Sequence, residues 1–346
     1  MQPLLNVALV GYGFVGKVFH APLIANTPGL RLHTVVSSDT RKVAADHPDV
    51  RVVAEPEAAF ADPDIDLVVI AAPNQVHAAL ASAALAQGKH VVVDKPFTVT
   101  LEQAQQVIAD AERAERIVSV FQNRRWDADF LTLRKLITEG TLGEVMEFHS
   151  HFDRYRPVVA DRWRERDEPG SGLWYDLGPH LLDQALQLFG MPEAIFADIA
   201  LQRVGARVAD YFQVLLRYPK LRVVLHAGSL VPAPQLRFAV HGTRASYMKH
   251  GLDPQEDALR KGGIPGQAGW GMDPLPGVLH TGTADGVEAE TVQGIPGDYV
   301  HYYAAMRDAI LQGGSAPVTP QQALQVMAML EWALESSTTH REIACR

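Results

Sequence analysis

A glycine-rich turn near the N-terminus carries the clearest chemistry in this chain. Leu5–Val10 is a short, mostly apolar run of strand type. Gly11, Tyr12, Gly13, Phe14, Val15 and Gly16 follow at once, and then a helical pattern begins. A strand, a glycine turn and a helix in that order cradle a pyrophosphate. Gly11 makes the tight turn, Gly13 lets the backbone approach the phosphates, and Gly16 lets the helix pack against the strand. The helix start adds free N–H groups and a partial positive charge. Residues 11–16 are therefore expected to bind a dinucleotide, which points to redox chemistry.

The choice of dinucleotide is read at the end of the second strand, Val35-Val36-Ser37-Ser38-Asp39-Thr40-Arg41-Lys42. A site that selects NAD usually sets an acid about 20 residues after the glycines. Here the tip is Ser37. Ser37, Ser38, Arg41 and Lys42 can donate to a ribose 2′-phosphate and neutralise it, whereas a carboxylate would repel it. NADP is favoured over NAD. Asp39 argues for NAD, because a one-residue shift restores the acid. An ordinary polar turn with Thr40 as helix N-cap is the plain alternative.

These residues need a scaffold to position them. Over residues 1–122, strand patterns (Val7–Val10, Leu32–Ser37, Val50–Ala54, Leu67–Ala71, His90–Asp94, Ile117–Phe121) alternate with helical ones (Val15–Asn26, Thr40–Asp46, Val76–Gln87, Leu101–Glu115). Near-continuous apolar runs such as Leu67-Val68-Val69-Ile70-Ala71 suit a parallel sheet covered on both faces. The fold class expected is α/β, with an N-terminal Rossmann doubly wound sheet. Ligands of such sheets sit beyond the carboxyl ends of the strands. That crevice would be faced by Ala72, Pro73, Asn74 and His77, by Asp94 and Lys95, and by Asn123.

From residue 123 the pattern changes. Phe130–Glu139 reads as a helix. Strands with period-two alternation follow at Val145–Asp153, Ile195–Arg203, Tyr211–Tyr218, Leu221–Leu230 and Arg237–His241. Residues 123–346 are expected to form an α+β domain with a large, mostly antiparallel open sheet. Residues 250–278, rich in Gly and Pro, read as a surface excursion. Helices return at Tyr299–Gln312 and Pro320–Ser336.

At 346 residues and 47% hydrophobic content, two domains with sizeable cores are expected. The net charge of −9 argues against a nucleic-acid partner, and no apolar stretch reaches the ~18 residues of a membrane helix. No signal-peptide pattern opens the sequence, and Cys345 is the one cysteine. A cytoplasmic protein is the expectation.

Together these segments resemble the glucose-fructose oxidoreductase / inositol dehydrogenase (Gfo/Idh/MocA) family over essentially the whole chain. The resemblance rests on residues 11–16, on Pro73, Asn74 and His77, and on Asp94-Lys95-Pro96. It rests further on Gly172, Asp176-Leu177-Gly178, His180, Asp183 and Glu335-Ser336. Residues 123–127, 154–157, 162–164, 255–260 and 270–271 look closer still to the NADP-dependent scyllo-inositol dehydrogenases. The resemblance implies hydride transfer between NAD(P) and a hydroxyl carbon of a sugar or cyclitol. It implies that Lys95, Asp176 and His180 line the reacting centre and that Trp163 and Arg164 approach the cofactor. It also implies that the open sheet face builds an oligomer, a homodimer or homotetramer. Two departures stand out: Asp94 replaces the usual Glu, and Pro179 precedes His180. Proline removes a helical N–H and clashes one turn back. The helix is thus expected either to start at Gly178 or to kink at Pro179.

Oxidising an alcohol needs a hydride acceptor and a group that removes the hydroxyl proton. His180 is the natural base. On a continuous helix Asp176 would lie one turn away and could fix its tautomer. Lys95 would hydrogen-bond the reacting oxygen, or could itself be the base, since burial lowers a lysine pKa. Arg154, Tyr155, Arg162 and Asp183 could bind substrate hydroxyls. His149 and His151 share a strand face and with His180 could hold zinc, but alternating His in a strand is more often packing, so no metal is expected. A non-catalytic NAD(P)-binding sensor is the rival from another class. A sugar oxidoreductase or dehydratase with tightly held cofactor is the rival within the family.

Overall fold

The computed structural model describes residues 4–161 and 165–346. Its first compact unit is Met1–Asn123 with Gln255–Trp270 and Asp298–Met327. With elements numbered along the chain, its strands are β1 (Leu5–Val10), β2 (Leu30–Val36), β3 (Arg51–Val53), β4 (Leu67–Ile70), β5 (His90–Val93) and β6 (Val118–Val120). They form a six-stranded sheet in the order β3-β2-β1-β4-β5-β6, and every pair is parallel. The order reverses between β1 and β4, so a ligand crevice opens beyond their carboxyl ends. All four residues of β4 are buried, which is why that strand carries no alternation. The helices are α1 (Ala21–Ala25), α2 (Thr40–Asp46), α3 (Pro56–Phe60), α4 (His77–Ala86), α5 (Leu101–Ala114), α8 (Gln255–Arg260) and α9 (Val300–Gln312).

The helix after the glycine turn spans residues 14–25, as the pattern over Val15–Asn26 anticipates, but it widens on the way. Gly16–His20 within it is a π-turn, and the regular segment α1 resumes at Ala21. Pro22 supplies the reason: it has no N–H to give to the carbonyl one turn back, so the turn before it widens. The widened turn carries His20, which is fully buried, with Nδ1 2.5 Å from the Tyr303 hydroxyl of α9. Burial lowers the His20 pKa from 6.5 to about 4, with His77 adding to the effect and Asp94 opposing it. The unfolded chain therefore binds the extra proton between those values. Stability from this group is complete above pH 6.5 and is lost as pH falls toward 4, by about 3 kcal/mol. Urea unfolding across that window should show this slope, and His20→Gln should flatten it.

The second unit is Arg124–Pro254, Gly271–Gly297 and Ala328–Arg346. Its strands are β7 (Val145–His151), β8 (Ala194–Ala200), β9 (Tyr211–Arg217), β10 (Arg222–Gly228), β11 (Leu236–Gly242), β12 (Ala245–His250), β13 (Gly277–Thr283), β14 (Gly286–Val292) and β15 (Ile343–Ala344). They form a nine-stranded sheet, β14-β13-β12-β11-β7-β10-β9-β8-β15, antiparallel except for the β7–β10 pair. One face is covered: Phe148, Ser150, Val223 and Leu225 are all fully buried, while their neighbours His149, His151, Val224 and His226 are only partly so. This unit also holds α6 (Ala128–Thr138), α7 (Gly172–Phe189) and the C-terminal part of α10 (Pro320–Thr339).

A polar knot ties α6 and α7 to the sheet. A register shift between Leu236 and Phe238 marks a bulge in β11, and Arg237 there is fully buried. Its guanidinium donates to Asp129 of α6 at 3.1 Å, Ser150 of β7 at 2.8 Å and Gln184 of α7 at 2.5 Å. Gln184 in turn donates to the Arg124 carbonyl at 2.8 Å.

The α/β class and the mostly antiparallel second sheet agree with the sequence reading. The division of the chain is less simple than the single boundary after residue 122. Residues 255–270 and 298–327 cluster with the first unit, and within the 250–278 excursion lies helix α8.

Candidate active site

The glycine turn has the form its sequence calls for. Gly11 adopts φ +98°, and a Cβ there would lie 2.5 Å from the Ala71 carbonyl oxygen. A Cβ on Gly16 would fall 2.1 Å from the Gly11 carbonyl oxygen. Gly13 is different: a Cβ there would meet nothing within 4 Å, so its backbone faces open space that a phosphate can enter. The cradle therefore fits a dinucleotide pyrophosphate. Lys42 reaches back from α2, with Nζ donating to the Tyr12 carbonyl at 2.8 Å. The Tyr12 hydroxyl donates to Asp46 at 3.0 Å, and Lys17 pairs with the same carboxylate at 2.7 Å. Burial, then Asp46, pushes the Tyr12 phenol well above its usual range. Lys17 and Asp46 had no signature in the sequence, because a lysine and an aspartate 29 residues apart (17 to 46) read as ordinary surface charge. Phe14 is half-exposed, and the Arg260 guanidinium lies 4.7 Å from its ring centre.

The β2–α2 turn settles which residue caps the helix. The N-cap is Asp39, not Thr40, and its carboxylate accepts from Lys42 N at 3.0 Å. Asp39 N–H donates to Ser37 Oγ at 3.1 Å. The one acid near the ribose position is thus engaged with its own helix, while Ser38 and Arg41 are exposed.

The next strand ends show a division of labour. His77 is buried, with Nδ1 3.0 Å from the Pro96 carbonyl and Nε2 2.9 Å from the Ala72 carbonyl. It clamps the loop after β4 to the loop after β5, which positions Pro73, Asn74 and Lys95 rather than offering the imidazole to a ligand. Asp94 does similar work: it is buried, and its carboxylate accepts from Lys95 N at 2.8 Å. Lys95 is half-buried, and Asn123, at the end of this unit, is buried.

In the second unit, α7 runs unbroken from Gly172 to Phe189 with Pro179 inside it. Of the two alternatives, a helix start at Gly178 or a kink at Pro179, this rules out the first. The lost Pro179 N–H removes one intrahelical bond. The indole of Trp174 packs against Gly178, where a Cβ would come within 2.6 Å of the ring, and Trp174 Nε1 donates to the Leu330 carbonyl at 3.2 Å. Packing around the proline holds the helix through it. Asp176 and His180 consequently share one face, one turn apart. His180 is buried and Asp176 half-buried. An Arg154 nitrogen lies 3.7 Å from the Asp176 carboxylate. The pocket beside Asp176 is lined by Arg154, Arg156, Arg203, Asp210 and Ser229. Arg203 is charge-compensated there by Glu165 at 2.6 Å and Asp210 at 2.8 Å.

Other candidates fall elsewhere. Asp183 is buried, and both its oxygens are held by Arg125 at 2.7 and 2.8 Å, so its task is structural rather than substrate binding. Tyr155 is exposed and forms an isolated bridge to Leu230. Arg162, Trp163 and Arg164 lie outside the described residues. His149 and His151 do stack, with ring centres 6.0 Å apart. Among the described residues, the group His151 joins is with Asp153 and His226, not with His149 and His180.

Comparison with known proteins decides the family. Residues 5–122 match the oxidoreductase-family NAD-binding Rossmann fold, and residues 134–344 match the C-terminal alpha/beta domain of the same family. This chain belongs to the Gfo/Idh/MocA oxidoreductases. It is 54% identical over 345 residues to the uncharacterised oxidoreductase YdgJ of Escherichia coli K12, covering 100% of this chain and 99% of that one. It is 40% identical over 342 residues to the scyllo-inositol 2-dehydrogenase (NADP(+)) IolW of Bacillus subtilis, covering 98% and 95%. Among solved structures, an oxidoreductase of Yersinia pestis superposes with a TM-score of 0.96 at 49% identity, covering 100% of this chain and 98% of that one. The family membership makes this chain an oxidoreductase with an NAD-binding fold. Among the described residues, no helix is long and apolar enough to cross a membrane.

Proposed function

We propose that this chain is an NADP-dependent dehydrogenase or reductase that moves hydride between nicotinamide and a secondary hydroxyl or ketone of a cyclitol or sugar. The reference substrate is scyllo-inositol, after the Bacillus subtilis relative. The observation that carries the reading is the pair on α7, a half-buried Asp176 and a buried His180 on one face of a single helix.

When bound, the dinucleotide supplies the hydride acceptor, and the turn at residues 11–16 holds its pyrophosphate. His180 takes the hydroxyl proton. Asp176, one turn earlier, fixes the imidazole tautomer and stabilises its charged form. Lys95 donates to the reacting oxygen and stabilises the developing alkoxide. The Ser37–Arg41 turn favours the 2′-phosphate, because Asp39 is committed to capping α2. Phe196, Leu215 and Val224 sit side by side across β8, β9 and β10 on the uncovered sheet face, which supports assembly as a homodimer or homotetramer. The lone cysteine suits the reducing cytoplasm.

A cofactor comparison tests the reading. Reduced nicotinamide should form from scyllo-inositol with NADP, at a kcat/KM at least ~10-fold above that with NAD. Arg41→Ala should raise the KM for NADP by roughly 10- to 100-fold and leave the NAD reaction nearly unchanged, as loss of one charge-assisted contact implies. Equal use of both cofactors by the unaltered protein would remove the NADP assignment.

A further inference from the structure

A cluster on the uncovered face of the second sheet stands apart from the residues assigned to hydride transfer. His151 ends β7 and pairs in register with His226 of the parallel strand β10. The ladder continues past β7, since Phe152 N donates to the His226 carbonyl and Arg154 N to the Gly228 carbonyl, each at 2.9 Å. Asp153, between them, is therefore fixed by backbone on both sides. Its carboxylate accepts from Gly228 N at 3.0 Å, and its carbonyl accepts from Gln235 at 2.8 Å. Asp153 is buried, while the two imidazoles are less than one-fifth exposed.

The three side chains converge. His151 Nδ1 lies 3.4 Å from Asp153 Oδ2, and His226 Nδ1 lies 2.8 Å from Asp153 Oδ1. One donor atom from each residue falls within 4.8 Å of the other two. A tetrahedral ion with bonds of 2.0–2.2 Å to nitrogen and oxygen needs neighbouring ligands about 3.3–3.6 Å apart. The His151 spacing falls in that range, and the His226 spacing is shorter, so the His226 ring must move outward a little to receive the ion. A second observation is independent of the distances. His226 Nδ1, the nitrogen that faces Asp153, is buried and makes no hydrogen bond of normal geometry among the described residues. His226 Nδ1 comes close to the carboxylate but off the line of an N–H bond. A nitrogen lone pair facing a carboxylate oxygen is unfavourable unless a positive charge lies between them.

We propose that His151, Asp153 and His226 form a binding site for a divalent transition-metal ion of the zinc, cobalt or nickel type. Two imidazoles and one carboxylate are the donor set such ions prefer over magnesium or calcium. Three protein ligands leave one position for water. The ion would clip the end of β7 to β10 and stabilise the native state by mass action. It takes no part in the hydride step.

Cobalt(II) titration of the full chain, dialysed first against a chelator, tests this. One equivalent per chain should bind, with the visible absorption of a low-coordinate cobalt site, and zinc should displace it. Zinc should also raise the melting temperature. His151→Gln and His226→Gln should each weaken binding by more than the roughly 10- to 100-fold lost with an outer-shell partner. His149→Gln, on the same strand and face, should bind as the unaltered protein does. Metal-free melting curves check that each variant folds. Failure of the unaltered protein to bind either ion at micromolar concentration, or unchanged binding by the His151→Gln/His226→Gln double variant, would overturn the proposal.

Discussion

Lys95→Ala should lower kcat by roughly 10²- to 10³-fold, the range lost when one donor to a developing oxyanion is removed. The cofactor should still bind with near-normal affinity, because the turn at residues 11–16 keeps its shape. Two features fix the lysine through its backbone: Asp94 accepts from Lys95 N, and His77 clamps the adjoining Pro96 carbonyl. Neither depends on the ammonium group, so the variant should fold. The pH profile then separates two roles. A base must be unprotonated to oxidise an alcohol, so kcat falls as pH drops below the pKa of the base. With His180 as base, the Lys95→Ala variant keeps that acidic limb at its reduced rate, and His180→Ala loses it. If the limb vanishes in Lys95→Ala instead, the lysine is the base. Near-normal turnover in Lys95→Ala would remove it from the chemistry altogether.

Arg237→Ala should have the largest effect on stability, about 3–5 kcal/mol, because it strands the buried Asp129 carboxylate without its partner. Both members of the pair are fully buried, and the guanidinium also satisfies Ser150 and Gln184. Gln184 belongs to α7, the helix that carries Asp176 and His180, so loosening this knot should also reduce turnover below the melting point. Denaturant unfolding measures the first effect and kcat at low temperature the second. A loss under 1 kcal/mol would mean that water reaches Asp129 when the arginine is gone. Arg237→Met paired with Asp129→Leu should recover much of the loss, since an apolar pair of similar size needs no partner.

The first unit was legible because its signals are local. The continuous apolar runs of β4 and β5 announce strands buried on both faces, and the glycines at 11 and 16 stand where a Cβ would strike the backbone. Alternation marked β9 and β10 equally well. What escaped depends on partners distant in sequence. Pro179 reads locally as a helix start or a kink, but Trp174 packing on Gly178 and anchored to Leu330 carries α7 through it. Asp183 looks like a substrate ligand until Arg125, 58 residues earlier, is seen to hold both its oxygens. Arg237 occupies a strand whose bulge no periodicity announces. His77 shows the same limit at the site itself: a histidine beside a cofactor loop suggests a ligand, whereas its two carbonyl contacts make it a clamp. The hairpin β13–β14 has almost no buried position along β14, so no alternation was present to reveal it.

The most direct measurement follows an isotope. The protein would be incubated with NADP and a panel of cyclitols and aldoses carrying deuterium at their carbinol carbons, scyllo-inositol among them. Deuterium recovered on the nicotinamide ring, with the matching ketone or lactone as product, is the result the account requires. Cofactor that binds but stays unlabelled and oxidised with every member of the panel would contradict it.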